Sequence, residues 1–256
     1  MKKYFFQLIL SPSLIFSQPD GSGAESDPYQ ISSLANLQWV SENSSSWDKY
    51  FIQTEDINAS ESSTWNEGEG FNPIGNSNDS FSGNYNGQEY IIENLFINYA
   101  STTGVGLFGW STNASISNLG LKNVTITGQE DVGGIVGHCD YTSFTNNFSS
   151  GVVIATSDNV GGLIGNCANG NTVANSYSSA SIDGGSNVGG FIGYKGDLFS
   201  AISYCYSVGN VSGTSSVGGL LGGGYNSPIN YCFWNIESSN QTSSNGGTGL
   251  TTWEMK

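Results

Sequence analysis

Few residues of this 256-residue chain are suited to chemistry, and most of those recur at nearly one spacing. Cys139 and Cys167 lie 28 residues apart, and Cys205 and Cys232 lie 27 apart, each of the latter inside a Tyr-Cys-aromatic triplet. Glu130, Asp131 and Asp158 are carboxylates at nearly equivalent places, and the single histidine, His138, adjoins Cys139. A zinc site needs CxxC or HxxxH spacing, and none accompanies these residues. Ca²⁺ takes several carboxylate and carbonyl oxygens, so Glu130, Asp131 and Asp158 are weak candidates for it, and no other cofactor is expected. The same carboxylates could serve a glycosidase, which wants two of them about 5–10 Å apart. They serve equally as solvated turn residues. Trp110, Tyr141, Tyr194 and Tyr225 remain as aromatic candidates for ligand contact, because Tyr and Trp combine an apolar face with a polar handle.

The elements that must position these residues are copies of one string. It reads VGGIVG (Val132, Gly133, Gly134, Gly137), VGGLIG (Val160, Gly161, Gly162, Gly165), VGGFIG (Val188, Gly189, Gly190, Gly193) and VGGLLG (Val217, Gly218, Gly219, Gly222). The starts are 28, 28 and 29 residues apart, and a degenerate GVGLFG at Gly104–Gly109 precedes the first by 28. A fixed period of this size marks a solenoid. Aromatic-to-aliphatic stretches follow each string at Asn147–Ile154, Ser176–Ile182 and Cys205–Val211, with turn-rich linkers at Ser157–Asn159, Gly184–Asn187 and Gly213–Ser216. One repeat cannot bury both faces, but stacked copies place like over like about 4.8 Å apart. Glycine in the string is expected to supply positive φ at a corner and close approach of stacked backbones. No Lys-Ser/Thr follows it, so it is not a nucleotide loop.

On this reading both cysteine pairs stack on neighbouring rungs. Two states compete: a disulfide, favoured by the spacing and an oxidising compartment, and buried free thiols, favoured because stacked Cβ atoms point the same way. His138 shares its slot with Trp110, Asn166, Tyr194 and Gly223 and reads as a corner residue.

Composition narrows the partners. The chain has no Arg and six Lys against 21 acidic residues, for a net charge of −15. Nucleic acid and anionic lipid are disfavoured as partners, since both call for cationic side chains. A polysaccharide lyase is disfavoured by the same shortage. An ice-binding array would need repeated Thr-x-Thr, and Thr125/Thr127 is one isolated instance. Residues 1–18 read as a secretory signal, with Lys2 and Lys3 before an apolar run through Phe16. No later stretch is long and apolar enough to span a bilayer. The expected organisation is the signal over 1–18, an N-terminal cap and lead-in strands over 19–103, the repeat solenoid over 104–245, and a linker or next module starting at 246–256. Ser33 caps an expected helix, with Leu34, Leu37, Val40 and Ser41 at helical spacing, that would cover the first rung. Period-two patterning from Tyr50 onward argues all-β.

The V-G-G-[LIF]-[IVL]-G string, with DPYQI at Asp27–Ile31, FNPIG at Phe71–Gly75, FSGNYNG at Phe81–Gly87 and IENLFI at Ile92–Ile97, resembles the GLUG repeats of secreted bacterial surface proteins. That resemblance implies a right-handed parallel β-helix in a longer adhesin-type polypeptide at the cell surface. It implies glycan, matrix or cell partners and brings no catalytic residues. The expectation is therefore a non-catalytic binding module, with a carbohydrate-active β-helix enzyme as the alternative and an ice-binding solenoid behind it.

Overall fold

The structure, a computed structural model, describes residues 17–225 and 229–256. The signal-peptide expectation falls almost wholly on residues outside these. Every pairing between named strands is parallel, and the strands form three sheets that wrap one core. The first sheet stacks eight strands, from Tyr29–Ile31 through Tyr50–Gln53, Asn84–Asn86, Ser115–Ser117, Ser143–Thr145, Thr172–Ala174 and Ala201–Ser203 to Ile229–Asn230. The second stacks five: Phe108–Thr112, Val136–Asp140, Ile164–Cys167, Ile192–Lys195 and Leu221–Gly224. The third is longer, running from Ile57–Asn58 through Gly120–Gly133 and Phe148–Ala155 to Thr248–Leu250. The chain is a parallel β-solenoid.

The core consists of ladders. Phe51, Tyr85, Ile116, Phe144, Val173 and Ile202 stack along the first sheet. Phe108, Val136, Ile164, Ile192 and Leu221 stack along the second. Val105, Val132, Val160, Val188 and Val217 stack where each glycine string begins. Rungs are about 4.8 Å apart, so each side chain meets its copies above and below, and the apolar stripe closes along the axis.

The stack begins earlier than the repeats do. Lead-in strands Tyr29–Ile31, Tyr50–Gln53 and Asn84–Asn86 already share the first sheet with the repeat strands. FNPIG forms no strand. Ile74 instead makes an isolated parallel bridge to Phe108, standing in for a second-sheet rung. Residues 246–256 were expected to leave the fold, yet Thr248–Leu250 pairs in parallel with Phe233–Asn235 and adds to the stack. Two of the turn-rich linkers run as strand and turn only at their last residue. Gly184–Asn187 and Gly213–Ser216 lie within strands Ser181–Gly189 and Val211–Gly218, where Gly184 pairs with Gly213 and Ser186 with Ser215. Pairing with a neighbouring rung overrides their weak strand propensity.

The expected helix is present as α1 (Leu34–Glu42). Ser33 accepts a hydrogen bond from Asn36 N, and Leu37, Val40 and Ser41 are buried. Trp47 donates its indole N–H to Val40 O at 2.7 Å, tying α1 to the first rung. That covers an edge whose backbone groups would otherwise be unpaired.

The glycine string works differently from expectation. None of its glycines has a positive φ. The left-handed corner is the residue before each Val: Gly104 (φ 80°), Asp131 (53°), Asn159 (58°), Asn187 (54°) and Ser216 (49°). Asn and Asp tolerate this region better than other side chains. Close approach alone explains the glycines. A Cβ on Gly161 would lie 2.1 Å from the Ile164 carbonyl oxygen, and one on Gly162 would lie 2.0 Å from Ser178 Oγ. The inner serines of the aromatic stretches meet the string across the solenoid. Ser149 donates to Gly162 O, and Ser207 donates to Gly219 O at 2.5 Å. Those bonds satisfy carbonyls that the turn leaves buried.

Candidate ligand-binding face

A corner of the solenoid is set by Asn118, Asn146, Asn175, Tyr204 and Tyr231, all left-handed with φ between 51° and 58°. The chain then enters the third sheet, and the residue two places on is Gly120, Phe148, Tyr177, Tyr206 or Phe233 in successive rungs. Between the two columns one residue points inward: Leu119, Asn147, Ser176, Cys205 or Cys232, all buried. Strand alternation therefore turns both columns outward.

The outward columns are aromatic toward the C-terminal end. Phe148 and Tyr177 lie 5.1 Å apart at 6°, Tyr177 and Tyr206 4.9 Å apart at 1°, and Tyr204 and Tyr231 5.1 Å apart at 7°. Tyr204 and Tyr231 are 59% and 67% exposed. Their hydroxyls and ring edges thus face solvent.

Toward the N-terminal end the corner column is amide. Asn118 Nδ2 donates to Asn86 Oδ1 and Asn146 Nδ2 to Asn118 Oδ1, both at 2.9 Å. The relay stops there. Asn175's carboxamide has no partner among the described residues, and Asn146 Oδ1 is left unbonded. Here the surface dips into a groove of about 200 Å³ lined by Glu89, Asn118, Asn146, Asn175, Phe148 and Tyr177. Among the described residues no lysine lines it. Lys49 pairs with Asp48, Lys122 with Glu93, and Lys195 is buried. The groove can offer ring surface, amide donors and acceptors, and one carboxylate, but no cation.

Sequence reasoning chose other aromatics. Trp110 does not project on a loop: its indole packs over Gly104 and stacks on His138, with centroids 3.9 Å apart. Trp110, His138, Asn166, Tyr194 and Gly223 do form one column, as their shared slot implied. Tyr194 is half-buried within it. Tyr141 and Tyr225 are 60% and 52% exposed, and the Tyr141 ring rests on Gly170. These four do not share a surface with the aromatic strip. The strip's own signal was in the sequence: the F, Y, Y, F second in NFSS, SYSS, CYSV and CFWN, and the Tyr before each of the last two cysteines.

The carboxylates named as Ca²⁺ candidates lie near one another but are held by separate partners. Asp131 is buried: its Oδ1 accepts from Asn159 Nδ2 at 2.8 Å, and its Oδ2 lies 2.9 Å from His138 Nδ1. Asp158 instead accepts from Ser186 N at 2.9 Å and Ser186 Oγ at 2.5 Å, which holds its carboxyl below the usual range. Glu130 stays near the surface, its carboxyl pushed up by partial burial and by Asp131 and Asp158. Among the described residues no three His, Cys, Asp or Glu side chains gather as a metal site would need. His138 is more than a bland corner. Its Nε2 also lies 3.3 Å from Asp140 Oδ2, so it ties together two carboxylates of its own rung. Thr125 and Thr127 pair with Phe96, Val152, Asn98 and Ile154, so no threonine array extends from them.

Cys139 pairs in register with Cys167, and Cys205 N donates to Cys232 Sγ at 3.4 Å, so both pairs stack on adjacent rungs. All four are buried free thiols in this structure.

No protein-family model matches the chain. It is 39% identical over 120 residues to Halomucin of Haloquadratum walsbyi (strain DSM 16790 / HBSQ001), a match covering 46% of this chain. The chain spans about 1% of that protein's length. A crystal structure of a protein from Bacteroides ovatus, provisionally named an immunoglobulin A1 protease, superposes with a TM-score of 0.71 at 18% identity. That match covers 94% of this chain and 88% of the other. At such identity the likeness is one of fold. It places this chain among β-solenoids of the same class.

Proposed function

We propose that this chain is a non-catalytic, adhesin-like module displayed outside the cell, which binds a glycan along the aromatic and amide strip. The supporting observation is that strip: six outward aromatics on successive rungs beside a groove with the unpaired Asn175 carboxamide and the open Asn146 Oδ1. Aromatic faces and edges take the apolar face of a sugar ring, and free amides take its hydroxyls. Repetition lets weak contacts add along a stiff rod. The similarity to Halomucin and the GLUG-like strings support placement at a surface, as part of a longer polypeptide. With no cation in the groove, neutral glycans fit better than sulfated or uronic ones.

The protease name belongs to the structural neighbour, whose likeness at 18% identity is one of fold. His138, the single histidine, bonds to Asp131 and Asp140 and to no hydroxyl or thiol. A nucleophile–base pair would need that contact. The test is a glycan array on the purified chain with a reducing-sugar assay in parallel. Binding of neutral glycans without turnover is expected; release of reducing sugar would overturn the reading.

A further inference from the structure

Glu89 is the one charged side chain lining the groove beside the aromatic strip. It stands on a tight turn rather than on a rung. Asn86 Oδ1 accepts from Gln88 N at 2.9 Å, Gly87 O accepts from Tyr90 N at 2.9 Å, and Gly87 N donates to Ser117 O at 2.8 Å. Glu89 N itself donates to Asn118 O at 2.9 Å, which sets the residue against the corner column. Gln88 and Glu89 are both left-handed, with φ of 49° and 68°. Gly, Asn and Asp enter this region at least cost, so a Gln-Glu pair there is held by the bonds around it.

Nearby carboxylates are engaged: Glu93 pairs with Lys122 at 3.5 Å, and Asp56 Oδ1 accepts from Ile91 N at 2.8 Å. Glu89's carboxylate takes no hydrogen bond or ion pair from any described residue. Room for the groove comes from Gly120, which brings no side chain where later rungs carry Phe148, Tyr177, Tyr206 and Phe233. Its volume of about 200 Å³ is below the roughly 300–1,000 Å³ of drug-sized sites and suits one ring of a longer chain. Around that space stand Glu89, the open Asn146 Oδ1, the unpaired Asn175 carboxamide and the edges of Phe148 and Tyr177.

We propose that the strip's ligand is a glycan bearing protonated amines, a polymer of 2-amino-2-deoxyhexose, with Glu89 taking one ammonium while Asn146 and Asn175 take hydroxyls of the same ring. The inference rests on the glycan reading above and narrows it. A carboxylate accepting from an ammonium makes a charge-assisted hydrogen bond, stronger than a neutral one. Among the described residues no lysine lines the groove to compete for Glu89, and a net charge of −15 concentrates cations at the surface. A uronic or sulfated sugar would instead bring its anion to Glu89 with no cation to offset it. A peptide lysine would satisfy Glu89 but leave Asn146 and Asn175 without hydroxyls.

Titration calorimetry of the full chain with three 1,4-linked tetramers tests this: glucosamine, its N-acetylated form and glucose. At about pH 5.5 the sugar amine carries its proton. The glucosamine tetramer should then bind about tenfold more tightly than either neutral tetramer, the size of one charge-assisted contact. Raising the salt from about 0.05 M to about 0.5 M should remove most of that preference. Glu89→Gln should bring the glucosamine tetramer to the affinity of the neutral ones, with circular dichroism confirming the fold. Glu25→Gln removes an exposed carboxylate outside the groove and should leave the preference intact, which separates a local contact from the field of the whole chain. Equal affinity for all tetramers, a preference that survives Glu89→Gln, or N-acetyl-lysine amide binding as tightly as the glucosamine tetramer would each overturn the inference. Neutral tetramers that bind, and bind less tightly to Tyr177→Ala, would in that event keep the strip as a glycan site.

Discussion

Two corners of the solenoid repeat with the same period and carry opposite constraints. At the glycine-string corner, backbone presses on every copy: a Cβ on Gly133, Gly161, Gly189 or Gly218 would meet the carbonyl oxygen three residues on at 1.9–2.2 Å. At the aromatic corner the close neighbours are side chains rather than backbone, the Phe148 ring lying over Gly120, and the same slot holds Gly120, Phe148, Tyr177, Tyr206 and Phe233 in turn. Stacking holds residue type where a side chain would have to enter packed backbone. It leaves type free where the side chain points to solvent.

That contrast can be broken from either side. Gly161→Val should have the largest effect. The valine cannot move away from backbone, so the variant should lose about 4 kcal/mol or more and fail to give one cooperative transition. Circular dichroism melts would show it, and a melt like wild type would remove the close-approach account. Tyr177→Ala takes away a ring held between Phe148 and Tyr206 on the outside. Stability should fall by only about 1–2 kcal/mol, while affinity for the best array glycan falls about tenfold. A binding curve unchanged by this substitution would move recognition off the strip.

The smallest effect concerns pH. Hydrogen bonds from Ser186 hold the Asp158 carboxyl below its usual range in the fold. A depressed carboxyl contributes stability above its unfolded value of about 3.9, and that contribution is lost as pH falls through the folded value. Asp158→Asn should therefore flatten the decline in urea midpoint between about pH 4 and pH 2. The change should stay below about 0.5 kcal/mol, because water screens this exposed group. An identical acid limb in both proteins would discount the Ser186 contacts.

Much of the architecture was legible because the repeat is explicit. Equal offsets placed Cys139 over Cys167 and His138 over Trp110, and both pairings are present in the register. The N-terminal helix was legible from Ser33 and the spacing of Leu37 and Val40. What was not legible lay off the repeat or across the axis. FNPIG has no period partner, so Ile74's bridge to Phe108 left no trace in spacing. Gly-Ser linkers read as turns, since local propensity does not register a neighbouring rung that pairs with them. The aromatic strip was passed over for a related reason: Trp110, Tyr141, Tyr194 and Tyr225 were chosen by nearness to the glycine string. Outward direction, and the groove beside Asn175, depend on which way each corner turns.

From its period, composition and apolar alternation, the chain by itself determined a parallel β-solenoid, a net acidic charge and stacked cysteine pairs. Those properties need only like-over-like stacking at a fixed repeat. Only the tertiary structure decided that Asp131, Asn159, Asn187 and Ser216 make the corners. The same holds for Ser149 and Ser207 closing the glycine carbonyls, and for Lys195 lying in the Cys167 column. The reason is physical. A repeat specifies contacts along the axis, whereas contacts across the core and the turn of each corner depend on how three sheets close around it.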